Sequence, residues 1–107
     1  MTSNRSDKVG DLLKKEISII ISNKIKDPRL KNINITAVKV SNDIGIATVF
    51  YTIIGEPIQK NKSKIDDKIL EKLSGMVRSN LAKKIKIRRI PIIKFRFDES
   101  IEYSENI

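Results

Sequence analysis

Lys83, Lys84, Lys86, Arg88 and Arg89 place five cations within seven residues, with Arg78 upstream and Lys94 and Arg96 just downstream. Ammonium and guanidinium groups at that density suit one kind of chemistry. They donate charge-assisted hydrogen bonds to phosphate oxygens and gain affinity by displacing the counterions that phosphate condenses. Part of the cluster needs no ligand, because cations at a helix C-terminus are favoured by the macrodipole. A second basic group, Lys24, Lys26, Arg29 and Lys31, surrounds Asp27-Pro28. If the fold brings the two groups together, the footprint is a stripe rather than a patch.

The rest of the chemical inventory is short. The chain has no His and no Cys. It therefore has no Ser-His-Asp triad, no Cys-His pair, no imidazole or thiolate metal ligand, no disulfide and no general base with an ordinary pKa near 7. Asp66 and Asp67 are adjacent on a helix and point apart, a poor acid/base pair. Asp98 and Glu99 follow a strand, where a cap or an ion pair is the expected role. Glycine occurs only at positions 10, 45, 55 and 75, which excludes Walker A and dinucleotide-binding loops and the G-x-x-G clamp of KH domains. Phe95 and Phe97 share parity with Ile93 and belong to a core rather than to a base-stacking platform. These absences predict a protein that is not an enzyme, with neither cofactor nor metal.

Length and charge agree with a small binding protein. The chain has 107 residues and a formal net charge of +9. That length predicts one domain over residues 1–107, with an ordered core over about 6–98 and a short acidic C-terminal tail. The charge is uneven: residues 1–58 carry +3, residues 59–97 carry +10 and residues 98–107 carry −4. An AT-rich genome would raise Lys, Ile and Asn everywhere, whereas this excess sits in one segment. The apolar runs are far below the roughly 20 residues that span a bilayer. Met1 to Ser6 leads into charged residues without the apolar core of a signal peptide, so the expected location is cytoplasmic.

The elements that must carry these residues follow from periodicity. Val9, Leu12, Leu13, Ile17, Ile20 and Ile21 have the 3 and 4 spacing of an amphipathic helix from about Ser6, its expected N-cap, to Ile25, stopping before Asp27-Pro28. Ile33 to Val40 reads as a strand whose parity changes near Thr36-Ala37, which predicts a bulge or a strand covered on both faces. Ser41 to Gly45 supplies a turn, and Ile46 to Ile53 the second strand of a hairpin. After a loop over Gly55 to Lys62, Ser63 and Asp66 resemble a capping box opening a second helix that reaches Ile85. Gly75 lies in its middle, where it either kinks the helix or lets another element approach. Pro91 breaks into a last strand, Ile92 to Phe97, with one covered face. The expected fold is α+β, a three-stranded sheet with helices packed on one face.

Several segments in this order resemble bacterial ribosome-binding factor A. They are the helix beginning near Ser6, Ile25-Lys26-Asp27-Pro28-Arg29-Leu30, Val38-Lys39-Val40-Ser41 with Asp43, Ser74-Gly75 followed by Arg78-Ser79, and Pro91-Ile92-Ile93-Lys94-Phe95 closing in Asp98-Glu99-Ser100-Ile101. The resemblance implies a KH-like domain of type II topology, α-β-β-α-kink-α-β. In this family an Ala-x-Gly interhelical kink replaces the G-x-x-G turn, and Leu73-Ser74-Gly75 stands at that place. It further implies a cytoplasmic ribosome-assembly factor that binds the free small (30S) ribosomal subunit. Such a factor supports late maturation and 5′-end processing of 16S rRNA without catalysis.

The residues and the resemblance agree on a basic α+β binder. The residues alone would permit DNA; the resemblance selects ribosomal RNA. The expected RNA-binding residues are Lys26, Arg29, Arg78, Lys83, Lys84, Lys86, Arg88 and Arg89, on a monomer with no membrane and no small-molecule partner. The alternative is a protein-interaction module whose basic face docks an acidic partner protein.

Overall fold

The computed structural model describes residues 5–55 and 65–100. Helix α1 spans Arg5–Lys24, a 3-10 turn follows at Pro28–Leu30, strands β1 and β2 span Ile33–Val40 and Ile46–Ile53, helix α2 spans Asp67–Lys84 and strand β3 spans Ile92–Phe97. β2 is the central strand, antiparallel to β1 and parallel to β3. Parallel pairing of β2 with β3 requires a crossover, and α2 supplies it.

The apolar spacing of the sequence becomes a single core. α1 contributes Leu13, Ile17, Ile20 and Ile21, α2 contributes Leu70, Leu73, Val77 and Leu81, and the sheet contributes Ile35, Ala47, Val49, Tyr51 and Ile93. Fully burying a side chain of this size stabilises the fold by roughly 1.5–3 kcal/mol. α1 packs across β1 and α2 across β3, on the same face of the sheet. Tyr51 is 1% exposed, meets Phe97 edge to face at 5.7 Å, and accepts a 2.8 Å hydrogen bond from the Ile65 N–H. Burial raises its phenol pKa above the usual value.

The parity change in β1 is a bulge. Ile35 pairs with Tyr51 and Ala37 with Phe50, so Thr36 is the extra residue. Its insertion returns Val38 and Val40 to the core face after Ile33 and Ile35. The Thr36 hydroxyl lies within hydrogen-bond reach of both the Phe50 carbonyl and the Asp98 carboxylate. Asp98 in turn accepts from the Ser100 N–H at 3.0 Å, the capping role expected after a strand.

Three expectations need correction. α2 is one uninterrupted helix of 18 residues, where the expected topology divided it at Leu73-Ser74-Gly75. Leu70, Leu73, Val77 and Leu81 form one buried stripe through that point, and exposed Gly75 sits on the opposite side with nothing within 4 Å of where a Cβ would stand. The packed stripe therefore stays continuous across the glycine. The helix also starts later than expected. Its N-cap is Asp66, which accepts from the Lys68 N–H at 2.8 Å, whereas Ser63 lies outside the described residues. Finally, α1 begins at Arg5, so Ser6 is a buried residue of the first turn rather than its cap. The expected loop over 56–62 and the tail over 101–107 lie outside the described residues.

Candidate nucleic-acid interface

α2 ends because Ile85 turns extended, at φ −115° and ψ 149°. The connector to β3 alternates from Ile85 to Arg88 and then bends at Arg88: Ile85, Ile87 and Ile90 are half-buried, while Lys86, Arg88 and Arg89 are exposed. Isoleucines face the protein and cations face outward. The far end is braced three times. Arg78 Nε donates to the Pro91 carbonyl at 3.2 Å, Arg78 Nη2 donates to the Ile90 carbonyl at 3.1 Å, and the Ile92 N–H donates to the Gly45 carbonyl at 2.9 Å.

Its middle rests on the β1–β2 turn and the start of α1. Arg5, Val9, Asp43, Ile44, Ile87, Arg88 and Arg89 line one shared hollow. Ile44 is buried with φ 58°, a left-handed conformation that costs a β-branched residue roughly 1–2 kcal/mol. The turn tolerates it through hydrogen bonds. Ser41 N–H donates to the Ile46 carbonyl at 2.9 Å, Ile44 N–H to the Ser41 carbonyl at 2.8 Å, and Gly45 N–H to Asp43 Oδ1 at 3.0 Å. The Ser41 hydroxyl and then the Gly45 N–H hold the Asp43 carboxyl below its usual pKa, and nearby Arg89 adds to the effect. The connector is thus a braced segment, bent at Arg88, that carries Lys86, Arg88 and Arg89, with Lys83 exposed on the last turn of α2.

Three other expected site residues have internal partners. Lys84 Nζ lies 2.8 Å from Glu16 Oε1 on α1. That oxygen is buried and takes no well-aligned hydrogen bond, so the charge of Lys84 is what offsets its desolvation. Arg29 grips Asp27 with two side-chain bonds, Nε to Oδ1 at 3.0 Å and Nη2 to Oδ2 at 2.7 Å. Those bonds, with the Arg29 N–H, bring the Asp27 pKa down to about 2. Arg78 is occupied by the connector carbonyls.

The two basic groups do not meet. Lys84 reaches the middle of α1 and the connector reaches Arg5 and Val9, while Arg29 lies in the field of Asp66 at the start of α2. The helices are therefore antiparallel. Lys26 and Arg29 lie past the C-terminal end of α1 and Arg88 and Arg89 beside its N-terminal end, separated by the roughly 30 Å length of α1, with Lys84 at an intermediate level beside Glu16. The stripe that would have joined them is replaced by two patches. Sequence reasoning gave no sign of Arg78 as a brace, of Glu16 as the partner of Lys84, or of Arg5 beside Arg88. Each joins segments distant in the chain. Among the described residues there is no group of three or more Asp or Glu arranged to hold a metal ion, and no helix long and apolar enough to cross a membrane.

Comparison with known proteins converges on one family. The family model described as ribosome-binding factor A matches residues 5–107. Ribosome-binding factor A of Staphylococcus carnosus (strain TM300) is 41% identical over 109 residues, spanning 100% of this chain and 90% of that protein. The crystal structure of ribosome-binding factor A from Thermus thermophilus superposes with a TM-score of 0.70 at 22% identity, over 86% of this chain and 93% of that one. A homology model of the Thermus thermophilus factor, as fitted into the cryo-EM map of a 30S complex, gives a TM-score of 0.59 at 20% identity, over 92% and 97% of the two chains. The fold agrees with the KH-like order expected from the sequence, and with a matching family model over nearly its whole length the chain belongs to the ribosome-binding factor A family.

Proposed function

We propose that this protein is a non-catalytic assembly factor of the small ribosomal subunit, bound to ribosomal RNA backbone through its basic connector. The observation that carries the reading is the connector itself. Lys83, Lys86, Arg88 and Arg89 are exposed on a segment braced by Arg78, Gly45 and the strained Ile44 turn. Cations held on fixed backbone lose less entropy on meeting phosphates than cations on a mobile tail. Family membership, and the fitting of a Thermus thermophilus relative into a 30S complex, support the small subunit as partner. The family likeness also supports a role in late maturation and 5′-end processing of 16S rRNA in the cytoplasm. Lys26 and Arg29, at the other end of the helices, serve as a second and weaker contact, because Arg29 is already committed to Asp27.

Co-sedimentation with purified small subunits at low salt tests this. The protein is expected to pellet with the subunits, with a log-log salt slope of roughly −0.7 to −0.9 for each neutralised phosphate. The double variant Arg88→Glu/Arg89→Glu is expected to abolish pelleting while the circular dichroism spectrum is unchanged. Undiminished binding by that variant would refute the connector as the interface. An association that survives complete RNA digestion would point instead to an acidic partner protein.

A further inference from the structure

The face of the sheet turned away from the helices has a composition of its own. The three strands contain no Asp or Glu. Their register places Phe50 at the centre of this open face, between Ala37 of β1 and Arg96 of β3, and places Thr48 between Lys39 and Lys94. Lys39, Lys94 and Arg96 are exposed and Phe50 is half-buried. At the strand spacing of about 4.8 Å, Lys39 and Lys94 stand about 10 Å apart on either side of the central strand. Small Ala37 leaves one side of the Phe50 ring without a bulky neighbour. Nearer the connector the same face exposes the paired Ile46 and Ile92, at 38% and 51%. At the other end, Asp98 is engaged by Thr36 and Ser100, and Glu99 borders the rim.

An aromatic ring ringed by cations on an open sheet is the chemistry that holds single-stranded nucleic acid, with bases stacked on the ring and phosphates on the cations. We infer that this open face is a second nucleic-acid site, which takes an unpaired RNA segment by stacking a base on Phe50. Lys39, Lys94 and Arg96 hold the flanking phosphates. Its position supports the assignment, because β3 enters the face at Ile92 directly from the basic connector. One RNA can therefore run from duplex backbone on the connector to an unpaired segment on the sheet. The inference rests on the RNA-binding reading above but names a different surface and a different ligand conformation.

The chain has no Trp, so Phe50→Trp introduces a single fluorescent reporter. A uridine octamer and a blunt RNA duplex serve as probes, with octamer affinity read by fluorescence anisotropy and the variants' folds checked by circular dichroism. The octamer is expected to quench the tryptophan over the concentration range in which anisotropy reports binding, and the duplex to leave it unchanged. Phe50→Leu is expected to weaken octamer binding about 5-fold or more. The exposed pair Lys39→Glu/Arg96→Glu guards against a folding artefact and is expected to weaken it further. Octamer binding without quenching overturns the site. So does quenching by poly-glutamate alone, which would mark an acidic protein partner, or quenching that requires removal of residues 101–107, which would mark the chain's own acidic end as the occupant. Failure to bind the octamer by protein that still pellets with small subunits overturns this inference alone; failure to bind either overturns the proposed function with it.

Discussion

Gly10→Ala and Gly75→Ala make a paired test of the architecture, because both glycines are helical and only one is crowded. Gly75 is the ninth of 18 residues in α2, is exposed, and has nothing within 4 Å of an added Cβ. Alanine there gains helix propensity of about 0.8–1 kcal/mol, much of it by restricting the unfolded chain. For a domain of this size, that raises Tm by about 4 °C. At Gly10 an added Cβ would stand 3.1 Å from the Val38 carbonyl oxygen and 3.6 Å from Val40 Cγ2. Val38 is held in the β1–β2 ladder, so α1 must retreat from the sheet. Overpacking of this kind costs about 1–3 kcal/mol against the same gain in propensity, a net loss of up to about 2 kcal/mol. Thermal melts and urea titrations of the two variants should move in opposite directions with unchanged m-values. A fall in stability for Gly75→Ala would refute the continuous helix, since a bend at residues 73–75 would require the glycine. A stable Gly75→Ala variant that no longer binds small subunits would instead show that a partner approaches the helix backbone there.

Other expectations follow from the contacts. Arg78→Ala removes both side-chain bonds to the connector, which should cost about 1–2 kcal/mol and speed amide exchange over residues 85–92; lost RNA binding with unchanged stability and exchange would make Arg78 a phosphate contact rather than a brace. Glu16→Gln leaves Lys84 without its counter-charge, so subunit binding should strengthen and become more salt-dependent while stability falls by less than about 1 kcal/mol, and a stability loss with weaker binding would contradict this. The Asp27 carboxyl is depressed in the fold, so its stabilising effect is present above the ordinary carboxyl pKa near 3.8 and is lost as pH falls through about 2; carboxyl chemical shifts should show the Asp27 pKa rising in Arg29→Gln but staying below the ordinary value, because the backbone N–H of residue 29 still donates to it. Tyr51 has the opposite sign: its raised phenol pKa adds stability that is present below about 10 and is lost as pH rises through the folded value. In Tyr103→Phe, which leaves Tyr51 as the lone tyrosine, the phenolate absorbance should appear at a midpoint above 10.

Much of this molecule is local. Apolar spacing of 3 and 4 selected the helices, alternation selected the strands, and the lost parity between Ile35 and Val38 marked the bulge at Thr36. Each is a property of neighbouring residues. The helix boundaries moved by a few residues because caps are chosen by competition. Asp66 caps α2, and the first turn of α1 took Ser6 inside. The uninterrupted α2 was hidden for a related reason. A glycine beside a serine carries the composition of a kink, and only the packing of Leu73 and Val77 on the same face keeps the helix uninterrupted past it.

The sequence by itself determined that this protein has neither His nor Cys, that its charge is concentrated in residues 59–97, and that five cations follow one another between Lys83 and Arg89. Tertiary structure alone decided which of those cations face outward. It ran the helices antiparallel and so put the two basic groups at opposite ends of one layer. It turned Arg78 onto Ile90 and Pro91, and Lys84 onto Glu16. It also gave Phe50 to the open face while Phe95 and Phe97 went to the core. The physical reason is range. Periodicity and composition report interactions within a few residues, whereas Lys84 meets Glu16, and Thr36 meets Asp98, only after the sheet has closed.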